Sequence, residues 1–336
     1  MQKTKLGNSQ SYSTPFHHGI CSFLGLIIVS IVFFFALEGI SHAWSFTKTF
    51  EEFAVGGSGY DADFIGSGTT LSTHGVTNTV AHSGTKSFFV TVAPGVENIG
   101  IYVVNPQAPV LVGSELWWRV FVYFPAGFDF SNPNGSQWKF MRLTTQQANG
   151  TTAESYTSVL VTKPNNYECN TVAAGNPSAS TWGYIYPEPG YWISQFSYPL
   201  SLSNACQNRN VAGGTAKFFS TGAWHSVELY QKQADTAVGA IRMWYDGILI
   251  YEQTNIQTAS TGSMIKNSAA GQSSHLLGAW NGGASQTQTL YFDDMVMTNE
   301  TPAQRDTFGN PMIGTIDNLS RDTVPPSVPS NLRVLP

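Results

Sequence analysis

Tyr184 and Tyr186 stand two residues apart in a run that reads as extended chain, so they share one face of a strand. Phenols in that position can accept and deliver protons. The same alternation sorts the run from Glu115 to Phe124 into two faces. Leu116, Trp118, Val120 and Val122 form an apolar face, and Glu115, Trp117, Arg119, Phe121 and Tyr123 lie opposite. By the same rule Gln137 with Lys139, Glu228 with Tyr230, and Arg242 with Trp244 fall on the side away from the core of their own runs. A solvated face would carry Thr, Ser, Lys and Glu, whereas this set is dense in Trp, Arg and Tyr. Aromatic rings stack on the apolar faces of sugars, and Arg and Gln offer planar donors to carboxylates and hydroxyls. Trp117, Arg119, Gln137, Lys139, Glu228, Tyr230, Arg242 and Trp244 are therefore expected to line one concave, partly exposed cleft for a glycan.

Elimination from a uronate polymer requires a neutralised carboxylate, a base for the proton beside it and an acid for the leaving oxygen. Arg, Gln or Lys can supply the first, and Tyr, His or Lys the other two. Arg, Gln, Lys and Tyr all occur in the set. Hydrolysis instead needs two carboxyls facing each other at about 5 to 9.5 Å, and here Glu115 and Glu228 are isolated candidates. Apart from His42, which belongs to the N-terminal segment, the histidines His17, His18, His74, His82, His225 and His275 show no metal-ligand spacing, which argues against zinc chemistry.

The elements that must hold these residues are short alternating or apolar runs separated by Gly, Asn, Pro and Ser. Strands are expected over Lys86 to Val92, Glu115 to Phe124, Trp138 to Thr144, Thr157 to Thr162 and Gly183 to Tyr186. Further strands are expected over Trp224 to Lys232, Ala240 to Tyr245, Ile248 to Glu252 and Leu290 to Thr298. No stretch keeps a helical period, so the fold class is all-β, with two packed antiparallel sheets. Asp246-Gly247 between two such runs predicts a tight hairpin, because that pair tolerates positive φ. The segment from Asn165 to Gly214 reads as long loops, and loops on a rigid sheet are where binding residues tend to sit.

The 336 residues carry a net charge of -5, with only 11% charged and 13% aromatic side chains. That composition opposes disorder, and with no overall basic field nucleic acid is not an expected partner. Lys3 and Lys5, the apolar run from Phe23 to Leu37 and Ser41-His42-Ala43 have the order of a signal peptide over residues 1–43, cleaved after Ala43. The competing reading is an uncleaved anchor, although Glu38 cuts the run short of the ~20 residues that span a bilayer. The expected location is secreted or at the cell surface, and the chain is expected to be monomeric. Cys169 and Cys206 then form an even pair: either a disulfide closing a loop of about 37 residues, stabilising by roughly 3–4 kcal/mol, or two buried thiols. Residues 316–336 are Pro-rich and resemble the lead-in to a fibronectin type III module.

The runs Trp224 to Lys232, Gly239 to Gly247 and Leu290 to Val296, with Thr49 to Phe53 and Ala81 to Phe88, resemble concanavalin-A-like polysaccharide lyases and lectins. The resemblance implies a single jelly-roll sandwich over residues 44–315 and the recognition of an acidic polysaccharide, with a non-catalytic lectin-like or adhesive module as the alternative. Gly183-Tyr-Ile-Tyr-Pro187 resembles the Tyr-x-Tyr-x-Pro strand of polysaccharide lyase family 14, the alginate and glucuronan lyases. This implies that Lys139 matches the family's catalytic Lys, and Tyr184 and Tyr186 its tyrosine pair. The family's Ser-x-Arg step is missing, since Ser158 is followed by Val159 and Leu160, so carboxylate neutralisation would fall to Arg119 or Arg142. The Glu-x-Asp-x-x-Glu strand of family 16 glucanases is also missing. Jelly rolls of this type often hold a structural Ca2+ where the first and last strands meet. That would involve Glu51 or Glu52, the backbone around Ser83, Thr85 and Lys86, and Asp293 or Asp294.

Overall fold

The computed structural model describes residues 43–61, 64–66, 73–95, 102–104, 108–129, 137–149, 153–162, 182–191, 217–265, 274–276, 279–280 and 284–315. The expected signal segment, the cysteine pair and the Pro-rich tail lie outside the described residues.

The strands, in chain order, begin with Ser45–Lys48 (β1), Phe64–Gly66 (β2), Thr73–Thr77 (β3), Ser87–Val92 (β4), Tyr102–Val104 (β5), Val110–Leu111 (β6) and Glu115–Tyr123 (β7). Next come Gln137–Gln146 (β8), Ala153–Thr162 (β9), Trp182–Tyr191 (β10), Lys217–Ser220 (β11), Trp224–Lys232 (β12), Gly239–Tyr245 (β13) and Ile248–Ile256 (β14). The last are Met264–Ile265 (β15), Ser274–Leu276 (β16), Ala279–Trp280 (β17), Gln288–Thr298 (β18), Gln304–Arg305 (β19) and Pro311–Met312 (β20). The described residues contain no helix.

Two antiparallel sheets result. One runs β14-β13-β12-β7-β18-β4-β3, with β1 also on β18; the other runs β11-β10-β9-β8-β16-β5-β2, with β15 and β17 also on β8 and β6 on β15. Alternation explains the core between them. Leu116, Trp118, Val120 and Val122 of β7, with Val227 and Leu229 of β12, are all 0% exposed, and Met141 and Val159 face them from the second sheet. Each such side chain contributes about 1.5–3 kcal/mol by leaving water. Asp246 and Gly247 take φ of 50° and 75°, closing the expected hairpin with Tyr245 opposite Ile248.

Two features depart from the sequence reading. First, β7 and β8 belong to different sheets, so Gln137 and Lys139 are separated from Trp117 and Arg119. Alternation assigns a face within a strand but not the sheet the strand joins. Second, the chain after β18 folds back as the β19–β20 hairpin, and Met312 and Ile313 are buried against Trp117, Tyr230 and Trp244.

Candidate functional site

The face expected to be one open cleft is largely a second core. Trp117 and Trp244 are each 1% exposed, and their indole N–H groups donate to Pro311 O (3.0 Å) and Asp306 Oδ2 (2.9 Å). Glu228 is buried and accepts the amides of Ile313 (2.7 Å) and Gly314 (3.0 Å). Arg119, equally buried, donates to the carbonyls of Gly314 (2.7 Å) and Asp294 (3.1 Å). Burial draws Arg119 down to about 10, with Glu228 and Asp294 opposing, so it stays charged at neutral pH. Trp, Arg and Tyr are dense here because they bind the returning chain.

What stays open beside that hairpin is a pocket of ≈ 290 Å³ bordered by Glu115, Trp117, Tyr230 and Arg242. Tyr230 donates to Glu115 (2.9 Å), and the Arg242 guanidinium lies over the Tyr230 ring (4.9 Å) and donates to Glu252 (2.5 Å). The volume is at the bottom of the range for ligand sites, about 300–1,000 Å³, and suits one sugar ring rather than a polymer.

Lys139, Tyr184 and Tyr186 lie in the other sheet. Lys139 pairs with Leu160 and Leu160 with Tyr186, so these three form one register row across β8, β9 and β10. Val159, the neighbour of Leu160, is wholly buried, which puts the row on the face away from the core. Tyr184 shares that face two residues on, opposite Thr162. A register shift between Lys139 and Met141 resets the alternation, so Arg142 joins the same face opposite Ser158. Across the other edge of β8, His275 pairs with Arg142, and beyond Ser158 lies Glu188. Adjacent strands are about 4.8 Å apart, so Lys139 and Tyr186 have backbones about 10 Å apart. The sequence reading singled out Lys139 and the tyrosines through the family motif. It had no signal for His275 or Glu188, which reach the face only through strand pairing.

A third surface belongs to the first sheet. Trp224, Tyr123 and Tyr291 pair in register across β12, β7 and β18, each half-buried, with ring centroids 5.4 and 5.9 Å apart.

The family model described as polysaccharide lyase matches residues 56–296. The chain belongs to the polysaccharide lyase family. Among solved structures, the chain is similar to the endo-β-1,4-glucuronan lyase of the fungus Trichoderma reesei at 14% identity, covering 76% of this chain and 95% of that one with a TM-score of 0.45. It is similar to a marine family 14 alginate lyase of Aplysia kurodai at 12% identity, over 76% and 98% of the chains with a TM-score of 0.43. A cellulose-induced protein is similar at 14% identity, over 76% and 97% with a TM-score of 0.44. At these values the likeness bears on neither substrate nor reaction. No curated protein sequence matches significantly.

The expected calcium ligands of the chain do converge on the loop at residues 82–86, but as hydrogen-bond acceptors. Asp293 accepts the amides of His82 (2.8 Å) and Ser83 (3.3 Å), and Asp294 accepts from the Ser83 hydroxyl (2.8 Å) and meets His82 Nδ1 (2.7 Å). Glu51 accepts both amides of Thr85 and Lys86 (2.7 and 2.6 Å) and the Thr85 hydroxyl (2.9 Å). Gly84 is required between them, since its φ is 63° and a Cβ there would lie 2.5 Å from Glu51 Oε1. Glu52 pairs with Lys48 (3.1 Å). Among the described residues no three His, Cys, Asp or Glu side chains gather as a metal cage. The donor set, being already matched to N–H and O–H groups, does not fit calcium.

Proposed function

We propose that the chain is a polyuronate lyase that cleaves by β-elimination on the outer face of the β8-β9-β10 sheet. Tyr184 and Tyr186 would exchange protons with the sugar and the leaving oxygen, with Lys139 beside them, and Arg142 would neutralise the uronate carboxylate. The observation that carries this reading is the row Lys139–Leu160–Tyr186 on three adjacent strands in a chain of this family. Arg142 is preferred to Arg119 because it stands on β8, in the same sheet as Lys139 and Tyr186, whereas Arg119 belongs to the other sheet and donates to Gly314 and Asp294. The test is incubation with alginate, glucuronan and glycosaminoglycans, following the ultraviolet absorbance of the unsaturated product. A lyase gives a steady rise on at least one polymer, and no rise on any of them removes the reading.

A second reading, binding without turnover, is favoured by Leu160, which stands where the family motif has Arg. The half-exposed row Trp224, Tyr123 and Tyr291 also supports it. Those rings are tilted by 42° and 64°, so they suit a single twisted glycan chain and not a flat crystalline surface. Retardation in affinity electrophoresis on a polymer that yields no unsaturated product would favour it. Export belongs to the same proposal, with residues 1–43 removed and Cys169 joined to Cys206. N-terminal sequencing of the mature protein and a thiol assay check both.

A further inference from the structure

Three side chains from three separate elements form a hydrogen-bonded chain where the two sheets come together. Ser220 Oγ, at the end of β11, lies 2.8 Å from His225 Nε2 on β12. His225 Nδ1 lies 2.8 Å from Asp246 Oδ2 in the β13–β14 turn. The carboxylate is held at its other oxygen by the Ser226 amide (2.9 Å), and the Tyr245 ring stacks on the imidazole (5.0 Å, 26°). The Asp-Gly turn fixes the Asp246 backbone in the left-handed region. An anion at Nδ1 favours the tautomer with the proton there, leaving Nε2 to accept from the serine. His225 is only 8% exposed while Ser220 is exposed, so the base is sheltered and the hydroxyl is accessible. None of the three belongs to the face of Lys139.

We propose that Ser220 is a nucleophile activated by His225 and Asp246, and that this site hydrolyses short acyl esters such as those carried on the hydroxyls of a polysaccharide. The carbohydrate carrier rests on the function proposed above; the nucleophile does not. Ser220 Oγ attacks the ester carbonyl while its proton passes to His225 Nε2. The bond to the leaving alkoxide breaks, and the alkoxide takes that proton. A water molecule, deprotonated by Nε2, then attacks the acyl group on Ser220 and releases the carboxylic acid and the free serine. Turnover is expected to be slow, because the Gly222 amide two residues on is donated to Phe124 O (2.7 Å) and does not serve the oxyanion. One missing oxyanion donor costs on the order of 10²–10³ in rate.

The test uses the full chain, a fluorophosphonate probe with peptide mass spectrometry, and hydrolysis of 4-nitrophenyl acetate. The native chain is expected to carry the label on Ser220 and to hydrolyse the ester; Ser220→Ala is expected to lose both with an unchanged melting temperature. Asp246→Asn still accepts from Ser226 but presents an N–H to Nδ1, which traps the proton on Nε2. Labelling should then fall by on the order of 10²-fold or more in a chain that remains folded. A native chain unlabelled at Ser220, or Ser220→Ala hydrolysing at the native rate, would overturn the proposal. Uronate elimination is read on the same samples, so its absence strikes the lyase reading and leaves the labelling result standing.

Discussion

Arg119 and Glu228 sit directly opposite each other on β7 and β12, and both are anchored to Gly314, the arginine through its carbonyl and the glutamate through its amide. Above about pH 7, where Glu228 is ionised, two buried charges of opposite sign thus clasp one residue of the returning C-terminal segment. Removing one partner leaves the other charge buried without compensation, which typically costs about 3–5 kcal/mol. Arg119→Met is accordingly expected to lower stability more than the double variant with Glu228→Leu, as measured by urea unfolding. Equal loss in both would mean that the charges do not act together.

Burial pushes Glu228 up to about 7, against the Ile313 and Gly314 amides and Arg119, and pushes Asp293 up to about 8, with Asp294 adding to it. The unfolded values are 4.5 and 3.8, so over the interval between them the folded state holds protons that the unfolded state has released. Their contribution is complete below about pH 4 and is lost as pH rises through about 7 and 8. For Glu228 this amounts to on the order of 3 kcal/mol. Thermal melts from pH 4.5 to 8.5 should show a decline with pH that is shallower in Glu228→Gln. Parallel curves would refute the assignment to Glu228.

Asp306 organises the turn between β19 and β20, accepting from the Phe308 and Asn310 amides (2.9 Å each), Asn310 Nδ2 (3.0 Å) and Trp244 Nε1. Replacing it with Ala strands the buried indole N–H, at about 1–3 kcal/mol. Each kcal/mol lowers the melting temperature of a domain this large by about 2–4 °C. Trp244 fluorescence should also shift to the red as the hairpin loosens. An unshifted spectrum with an unchanged melting temperature would show that the hairpin holds without this residue.

Because Glu51, Asp293 and Asp294 are matched by N–H and O–H donors of the loop at residues 82–86, melting curves with calcium and with EGTA are expected to coincide. A cation bound to the folded state alone would raise stability by about 2.7 kcal/mol at 100 times its Kd. Such a gain would restore calcium to this region.

On the lyase face, Lys139→Ala and Tyr186→Phe are each expected to reduce formation of unsaturated product by about 10²–10⁴-fold, the usual weight of general acid–base catalysis. Leu160→Arg, in the row between them, should raise affinity for uronate oligomers in a salt-sensitive way. A loss below tenfold in both deletions would move the chemistry elsewhere.

The sequence by itself determined the longer strands and the inner faces of β7, β12 and β13. Leu116, Trp118, Val120 and Val122 were legible as core because alternation is a local property of the extended chain, and Asp246-Gly247 was legible as a turn because few dipeptides tolerate its dihedrals. Lys139, Tyr184 and Tyr186 were singled out through a resemblance to a family motif, and the row of Lys139 and Tyr186, with Tyr184 on the same face, follows from the antiparallel pairing of β8, β9 and β10. Only the tertiary structure decided which sheet each strand entered and what covered it. Trp117, Arg119, Glu228 and Trp244 have the composition of a sugar cleft, yet the segment that seals them lies about 70 to 200 residues further along the chain. Non-local pairing of this kind leaves no periodic trace, because the same amphipathic side chains serve equally well against a sugar and against the protein's own backbone. The alignment of Ser220, His225 and Asp246 was hidden for the same reason, since it depends on an edge strand of one sheet meeting a hairpin of the other.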